Sequence, residues 1–365
     1  MTLEELRGRI TAIDKQLLEL VAERQALSSE VAKVKRATGR ATRDFSRERE
    51  VLLHARNDAA ALGVSPQFAE SLMRMLIRSS LTTQEQAQVA AHGQGGGRSA
   101  LVIGGSGKMG HWFVDFLGSQ GYRVAISDPA LAPDHAQSIG DWRQQPLDYD
   151  LIVVATPLKI ADAVLKELAA RKPAGVIFDI GSLKTPLRTG IAALREAGCR
   201  VTSIHPMFGP DTELLSGRHV IFIDAGSPEA LEAAQGLFAS TMAERVVMGL
   251  DEHDRLIAFV LGLSHALNIA FFTALADSGE AAPRLARLSS TTFDAQIDVA
   301  SKVAQESPEL YFEIQSLNEY GTESLEALRH AIDRVWQTVT ARDATGFVNL
   351  MQRGREYLEE RPKER

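Results

Sequence analysis

The sequence has little of what disulfide-rich, zinc-binding or nucleic-acid-binding proteins need. Cys199 is the single cysteine among 365 residues, which excludes a disulfide framework and a thiolate metal cluster, so we expect no metal and a reducing cytoplasm. The net charge of -7 at pH 7 argues against a nucleic-acid binder, which would normally be basic. The N-terminus, MTLEELRGRI, lacks the apolar core of a signal peptide.

The N-terminal segment carries a helical pattern with one exception on its apolar side. From Leu3 to Val34 apolar residues recur in steps of three and four, which predicts one long helix with a coiled-coil-like seam. Arg24 stands where an apolar residue is due, and Lys35 follows about three turns later on nearly the same face. Arg7 lies about 25 Å away and about 100° round the axis. If Arg7 serves the same ligand, a second chain must bring it, which predicts an intertwined dimer.

Two more helices follow in the pattern. One starts near Arg47 and runs to Ala59, and Ser65-Pro66 is a good start for the next, with an N-cap serine and proline at the first position. These helices carry cations and hydrogen-bonding groups but no evident nucleophile or general-base histidine. Such a set suits a reaction that needs only electrostatic positioning of a polyanion.

Residues 3 to 85 closely resemble the all-helical chorismate mutase domain found at the front of bifunctional aromatic amino-acid enzymes. The family's active-site positions are matched by Arg7, Arg24, Lys35, Asp44, Arg47, Glu48, Ser80 and Gln84. The resemblance implies that arginines bind the two carboxylates of chorismate, one arginine crossing from the dimer partner. It implies that Lys35 and Gln84 contact the ether oxygen and that Glu48 holds the ring hydroxyl. The alternative is a non-catalytic dimerising or sensing domain, although a bare coiled coil has no use for Arg24 on its seam.

A glycine turn after the predicted strand Ser99 to Ile103 indicates a dinucleotide site. Gly105 permits a tight bend, Gly107 lets the backbone approach a pyrophosphate, and Gly110 lets the following helix pack on the strand. Asp128 ends the next predicted strand, where it would accept ribose hydroxyls and favour NAD over NADP. The predicted cofactor-binding residues are Gly105, Ser106, Gly107, Lys108, Met109, Gly110, Asp128 and Thr156.

One histidine follows a later strand. Arg200 to Ile204 has a β-type pattern and delivers His205 into a loop stiffened by two prolines and a glycine. The end of a strand is where α/β sheets bind ligands, although a core histidine capping a loop explains these residues equally well. Ser182 follows the neighbouring strand, either near His205 or as a helix cap.

Three motifs together, Gly105 to Gly110, Asp179 to Lys184 and His205 to Asp211, look like prephenate dehydrogenase. With the N-terminal domain, their order matches the bifunctional chorismate mutase/prephenate dehydrogenases of tyrosine biosynthesis. The resemblance implies that His205 takes the proton of the 4-hydroxyl of prephenate while Ser182 assists. Hydride then passes to NAD, CO2 leaves and 4-hydroxyphenylpyruvate forms. Inhibition by tyrosine is also expected, with no residue identified for it.

A long apolar stretch lies in the last third of the chain. Leu256 to Ala276 contains no charged residue and is long enough to span a bilayer on length alone. His265 and Asn268 interrupt its centre, so we predict a subunit interface or core and no membrane association. The resemblance gives His265 a substrate-binding role, the alternative being a satisfied buried histidine. His253 is predicted on the surface or at the site entrance.

The C-terminal part departs from the family pattern at two positions. The family arginine that binds the prephenate side chain is matched by Lys302, which keeps the charge but loses the bidentate fork. Asp294 stands where a close relative has a cation, and it would disfavour a carboxylate or welcome an amine. Arogenate and 4-amino-4-deoxyprephenate therefore stay open as alternative substrates.

The expected fold class is multidomain. An all-α chorismate mutase domain covers 1–85, a glycine-rich flexible linker 86–98, an α/β Rossmann-type NAD-binding domain 99–248, and an all-α dimerisation and substrate domain 249–365. We expect a cytoplasmic homodimer that acts on chorismate and prephenate with NAD.

Overall fold

The computed structural model describes residues 1–132 and 135–360. Two compact units make up this part of the chain: Met1–Gly181 with Thr189–Gly249, and Ser182–Arg188 with the chain from Leu250 onward. The first unit holds three long helices and a seven-stranded sheet, and the second is helical. The predicted sequence of all-α, Rossmann-type and all-α parts is confirmed.

The three N-terminal helices have the predicted order, and Ser65 is the predicted cap of the third. They are α1 (Leu3–Ala37), α2 (Phe45–Ala61) and α3 (Pro66–Ala91). Asp44 caps α2 by accepting hydrogen bonds from the backbone N–H groups of Ser46 and Arg47, so α2 begins slightly earlier than predicted. Ser65 caps α3, as expected for a serine followed by proline.

The stretch predicted as a flexible linker is largely ordered. Its first part belongs to α3, which continues to Ala91. Further on, the N–H groups of Gly95 and Gly97 donate to the carbonyls of Gln120 and Gly121 over 2.9 and 3.0 Å. Glycine is needed here because a Cβ on Gly95 would lie 2.2 Å from the carbonyl carbon of Gly121. The glycines therefore allow close packing rather than free motion.

The sheet is parallel over five neighbouring strands and then reverses once. Its strands are β1 (Ser99–Ile103), β2 (Arg123–Ser127), β3 (Leu151–Val154), β4 (Val176–Asp179), β5 (Arg200–Pro206), β6 (His219–Ile223) and β7 (Glu244–Met248). Their order is β2-β1-β3-β4-β5-β6-β7, with β5 and β6 antiparallel and the other neighbours parallel. The helices of this part are α4 (Lys108–Ser119), α5 (Leu158–Arg171), α6 (Arg188–Glu196) and α7 (Pro228–Leu237). The central strands are uninterrupted buried apolar runs, as a sheet covered on both faces requires.

His205 lies inside a strand, which corrects the prediction of a loop. The antiparallel neighbour β6 extends the ladder so that His205 pairs with Ile221 and Pro206 with Val220. On the other side of β5 the last paired residue is Ser203, opposite Asp179. His205 therefore stands at the carboxyl edge of the parallel strands, just beyond the end of β4.

The second unit consists of helices. They are α8 (Leu250–Ile257), a π-helical turn (Ala258–Leu263), α9 (Ser264–Asp277), α10 (Ala282–Arg287), α11 (Thr291–Ala304), α12 (Pro308–Leu317), α13 (Gly321–Thr340) and α14 (Ala344–Glu359). The continuous segment Leu250–Asp277 contains an 18-residue stretch with a mean hydropathy of 1.9 and, by length and composition only, is able to cross a membrane. Gln315 donates to the carbonyl of Gly262 in the π-helical turn over 2.8 Å, which satisfies a group that the widened helix leaves free.

Candidate active sites

The three N-terminal helices enclose a cavity of about 600 Å³. Its lining includes the predicted residues Arg24, Lys35, Asp44, Arg47, Glu48, Ser80 and Gln84. Arg7 is the one predicted mutase residue outside it, exposed near the start of α1. The fold therefore brings seven of the eight predicted mutase residues to one cavity. The eighth, Arg7, is the arginine expected from a partner subunit.

Arg24 is held against α3. Its Nη1 donates to the carbonyl of Leu76 over 2.8 Å and to the hydroxyl of Ser80, which itself donates to the same carbonyl over 2.9 Å. Burial lowers the pKa of the Arg24 guanidinium. A partly desolvated guanidinium with donors to spare is an effective binder of carboxylates, because the interaction is screened less than in bulk water.

Lys35 and Gln84 reach the cavity from α1 and α3. Lys35 Nζ donates to the carbonyl of Thr42 over 2.6 Å, and Gln84 Nε2 donates to Ser28 Oγ over 2.8 Å. Gln84 is 7% exposed, and its Oε1 finds no partner among the described residues. Both side chains keep a further N–H for an oxygen atom of a ligand.

Two of the three carboxylates that line the cavity, Glu48 and Asp44, already accept hydrogen bonds. Both oxygens of Glu48 accept hydrogen bonds from Arg43, from Nε over 2.8 Å and from Nη2 over 2.9 Å. Hydrogen bonds from the Arg47 backbone and the Ser46 hydroxyl lower the pKa of Asp44. Because these negative charges are compensated, Arg24 and Lys35 make the cavity attractive to an anion.

Ser28 and Arg43 belong to this site but were not predicted from the sequence. Ser28 follows Arg24 by one helical turn, so the i, i+4 spacing was a usable signal. Arg43 lies in the connector between α1 and α2, where no periodicity marks it. Only the folded chain shows its contact with Glu48.

The glycine turn between β1 and α4 packs too closely for side chains. A Cβ on Gly110 would lie 2.1 Å from the carbonyl oxygen of Gly104, and a Cβ on Gly105 would lie 2.7 Å from Ile126 Cγ2. Gly104 has a φ of +88°, a conformation that favours glycine. Lys108 and Met109 form the first turn of α4, whose N-terminus points its N–H groups at the space above the turn.

Two groups border this turn from neighbouring strands. Asp128, at the end of β2, accepts a hydrogen bond from the backbone N–H of Ser106 over 3.0 Å. Thr156 follows β3, and its buried hydroxyl has no partner among residues 1–132 and 135–360. A tight glycine turn, a carboxylate and an unpartnered hydroxyl at one sheet edge fit a bound dinucleotide.

His205 is 4% exposed at the same sheet edge. The segment that follows it is fixed, because Met207 N–H donates to the His219 carbonyl over 2.9 Å and Phe208 packs on Trp112 with ring centroids 5.0 Å apart. Trp112 Nε1 in turn donates to the carbonyl of Thr212 over 3.0 Å. The imidazole is thus held in a constrained, nearly dry position.

The segment that carries Ser182 belongs to the second unit and is anchored by Asp254. Asp254 is fully buried and accepts hydrogen bonds from the N–H of Lys184 over 2.9 Å, from the N–H of Thr185 over 2.7 Å and from its hydroxyl over 2.6 Å. The short 3₁₀ turn Thr185–Leu187 that follows is not capped by Ser182. The helix-cap interpretation of this serine is therefore wrong.

His253 is buried, which corrects its predicted surface position. It is 0% exposed, and its Nδ1 lies 2.6 Å from Asp254 Oδ1. A neutral or charged imidazole tolerates this burial because the adjacent carboxylate accepts its N–H. His253 thus completes the set of donors that surrounds Asp254.

The remaining predicted residues of the second unit lie on α9 and α11. Burial lowers the pKa of His265. Its ring packs against Tyr311 at a tilt of 30° with centroids 4.2 Å apart, and its Nδ1 has no partner among the described residues. Lys302 and Asp294 are exposed on α11, and Asp294 accepts a hydrogen bond from Ser289 Oγ. His265 is therefore more than a satisfied core histidine.

Comparisons with known proteins divide the chain in the same way. Residues 6–85 match chorismate mutase type II, 130–247 the nucleotide-binding domain of prephenate dehydrogenase, and 250–353 its dimerization domain. The T-protein of Enterobacter agglomerans is 29% identical over 316 residues, covering 86% of this chain and 81% of the relative. The 4-amino-4-deoxyprephenate dehydrogenase of Streptomyces pristinaespiralis is 28% identical over 273 residues, covering 71% of this chain and 91% of the relative.

A solved structure agrees in fold. Prephenate dehydrogenase from A. aeolicus, in complex with hydroxyphenyl propionate and NAD+, has a TM-score of 0.55 at 18% identity and covers 72% of this chain and 98% of its own. The chain therefore joins a type II chorismate mutase domain to the two domains of a prephenate dehydrogenase. It belongs with the bifunctional chorismate mutase/prephenate dehydrogenases, as the sequence resemblance predicted.

Proposed function

We propose that the chain converts chorismate to prephenate in the three-helix cavity and oxidises prephenate to 4-hydroxyphenylpyruvate with NAD, two steps of tyrosine biosynthesis. The observation that carries the proposal is the cavity of about 600 Å³ in which Arg24, Lys35 and Gln84 converge. The mutase step breaks an ether bond and forms a carbon–carbon bond without a covalent enzyme intermediate. A cavity of positioned cations and amide donors supplies what that step needs.

In the mutase step Arg24 binds one substrate carboxylate, and Arg7 of the partner subunit binds the other. Negative charge grows on the ether oxygen as its bond to carbon breaks, and Lys35 and Gln84 stabilise that charge. Glu48 accepts a hydrogen bond from the ring hydroxyl of the substrate. Asp44, Arg47 and Ser80 contact the substrate as well, and Ser80 also accepts a hydrogen bond from Arg24.

The mutase proposal is tested by chorismate consumption in the absence of NAD. Arg24→Ala should lower mutase kcat/KM at least about a hundredfold, because it removes a charged hydrogen-bond donor to a substrate carboxylate. Dehydrogenase activity with supplied prephenate should stay unchanged. Unchanged chorismate consumption in Arg24→Ala would show that Arg24 does not serve the reaction, and a wild-type enzyme that leaves chorismate unchanged would favour the alternative that this domain only dimerises or senses a ligand.

In the dehydrogenase step NAD, when bound, accepts the hydride. The glycine turn Gly105–Gly110 would hold the pyrophosphate, Asp128 would accept the ribose hydroxyls, and Thr156 would border the cofactor. His205 takes the proton of the 4-hydroxyl, and loss of CO2 leaves the aromatic ring. Ser182 assists that proton transfer, and His265 and Lys302 bind the substrate.

The role of His205 is tested by His205→Asn. We expect loss of most of kcat, at least about a hundredfold, since general-base catalysis contributes on that scale. The dissociation constant for NAD, measured by titration calorimetry, should stay within about twofold of wild type, inside the scatter of such measurements. A variant that loses NAD binding would show instead that His205 holds the fold of the cofactor site.

A second candidate substrate class is favoured by Lys302 and Asp294. Both side chains are exposed on α11, and a carboxylate there suits a substrate that carries an amine. A 4-amino-4-deoxyprephenate dehydrogenase is among the relatives. Steady-state comparison of prephenate, arogenate and the 4-amino analogue decides between them. The highest kcat/KM identifies the substrate.

The assembly is proposed as a cytoplasmic homodimer with domains at 1–85, 99–248 and 249–365. Apolar residues of α1 such as Leu3, Ile10 and Leu17 are 64%, 58% and 53% exposed in the single chain, which a second chain would cover. The apolar segment Leu250–Asp277 lies in the part matched as a dimerization domain, which supports a subunit interface rather than a membrane span. Inhibition by tyrosine is proposed from the family alone.

A further inference from the structure

Arg43 connects a carboxylate of the mutase cavity to the nucleotide-binding domain. Its Nε and Nη2 donate to the two oxygens of Glu48, while its Nη1 donates to Ser216 Oγ over 2.8 Å. We propose that Arg43 is a positioning residue of the mutase reaction, and that the nucleotide-binding domain, through Ser216, sets the orientation of Glu48. The inference rests on the proposed mutase activity.

The paired geometry fixes Glu48 in a way that a single hydrogen bond cannot. A planar guanidinium that meets both oxygens of a carboxylate restrains rotation of the carboxylate as well as its position. The Arg43 guanidinium also lies over the ring of Phe45, 4.3 Å from its centroid, which restrains the plane of the fork. Glu48 is therefore presented to the cavity in one orientation.

The burial of this pair sets it apart from an ordinary surface ion pair. The side chains of Arg43 and Glu48 are 31% and 19% exposed, whereas those of the nearby pair Arg47 and Glu50 are 62% and 51% exposed. Exposed pairs are screened by water and hold their partners weakly. The Arg43–Glu48 pair is shielded enough to restrain a side chain that acts on a substrate.

Ser216 is a fixed acceptor because a second contact holds its segment. The carboxylate of Glu85 is 3% exposed and accepts the backbone N–H of Leu215 over 2.7 Å and that of Met242. Glu85 is the neighbour of Gln84 on α3. The same helical turn therefore lines the cavity through Gln84 and contacts the nucleotide-binding domain through Glu85. Leu215 and Ser216 are thus attached to α3 and to Arg43 side by side.

The connector before α2 organises the cavity with three consecutive residues. The Thr42 carbonyl accepts a hydrogen bond from Lys35, Arg43 holds Glu48, and Asp44 caps α2. Ser216 contacts the middle one of the three. Loss of that contact would release the fork from its anchor while leaving Lys35 and the α2 cap in place.

The test is a double-mutant cycle in the full-length enzyme. Arg43→Lys and Ser216→Ala are made alone and in a Glu48→Gln background, and mutase kcat and KM for chorismate are measured. Arg43→Lys keeps the charge but loses the fork, and we expect KM to rise about tenfold. Ser216→Ala should raise KM about threefold, since it removes one neutral acceptor. Neither change should add to the effect of Glu48→Gln, because both act through that carboxylate.

The matched control is Arg56→Lys on α2, whose guanidinium pairs with Glu70 outside the cavity. Its mutase KM should equal that of wild type. If the change in KM caused by Arg43→Lys adds fully to that caused by Glu48→Gln, the inference is refuted while the proposed mutase function still stands. A joint loss of mutase and dehydrogenase activity with a lower Tm would also refute it, because it shows a purely structural role. A wild-type enzyme that leaves chorismate unchanged refutes the proposed function and the inference with it.

Discussion

The glycine turn of the nucleotide-binding domain allows a sharp test at Gly110. A Cβ at this position would lie 2.1 Å from the carbonyl oxygen of Gly104 and 3.0 Å from both the Gly104 carbonyl carbon and Gly105 Cα. All three atoms belong to the backbone, so no change of rotamer relieves the overlap. In Gly110→Ala the N-terminus of α4 has to withdraw from the turn by roughly 1 Å to restore an ordinary contact.

The cost follows from that displacement. Overpacking of this kind typically lowers the free energy of unfolding by about 1–3 kcal/mol. The N–H groups at the start of α4 also move away from the pyrophosphate that they are proposed to hold. A misplacement of about 1 Å can reduce function about a hundredfold, so we expect NAD affinity to fall between about tenfold and a hundredfold. Mutase activity should be unchanged.

Gly118 provides the control on the same helix. A Cβ there meets nothing within 4 Å, so Gly118→Ala should be neutral or stabilise the domain by about 0.5–1 kcal/mol. Titration calorimetry gives the NAD dissociation constant, and thermal unfolding gives the stability. The reasoning fails if Gly110→Ala binds NAD as tightly as Gly118→Ala does.

Three further predictions concern side chains on both units. Asp128→Asn removes the charge that would repel a 2′-phosphate, so the ratio of kcat/KM for NADP to that for NAD should rise at least about tenfold; an unchanged ratio counts against the ribose assignment. Thr185→Val removes a hydroxyl donor from buried Asp254. It should lower the free energy of unfolding by about 1.5–3 kcal/mol in denaturant titrations and leave mutase kcat unchanged. An unaltered denaturation midpoint counts against this role of the Thr185 hydroxyl. Burial acts to raise the pKa of Asp254, but hydrogen bonds from His253 and Thr185 outweigh it and hold that pKa below its usual value. The ionised carboxylate therefore stabilises the fold at neutral pH, and this contribution is lost as pH falls through the lowered pKa; Asp254→Asn should show a smaller decline in stability from about pH 7 to about pH 3 than wild type.

The mutase site was largely predictable because the spacing of its residues along the helices places their side chains on one face. Arg24 interrupts an apolar seam, and Lys35 recurs on nearly the same face of α1, so the sequence alone places both at one pocket. Ser80 and Gln84 are one turn apart on α3 and line the same cavity. Local periodicity also indicates that Arg7 lies too far along α1 to join them in one chain.

The dehydrogenase part was less predictable because its contacts join distant segments. His253, near a helix start, is predicted at the surface or at the site entrance. In the structure Asp254 accepts hydrogen bonds from the N–H groups of Lys184 and Thr185, and both His253 and Asp254 are buried. His205 continues β5 only because β6 pairs with it in the antiparallel direction. The edge strand Glu244–Met248 was missed, as it is largely exposed and its apolar run is only the three residues from Val246 to Met248.

Gln84 and Glu85 show why the division of the chain into units could not be read from the sequence. Successive helical residues point about 100° apart, so Gln84 faces the cavity while Glu85 faces another surface of α3. A glutamate there is ordinarily solvated, but Glu85 is buried, and that burial raises its pKa.

A carboxylate can be buried in this way only where donors compensate it, and both donors are backbone N–H groups of the nucleotide-binding domain. The mutase and nucleotide-binding domains consequently form one compact unit, while the matched dimerization domain belongs to the other. The boundary between the compact units thus falls within the dehydrogenase and not between the two enzymes.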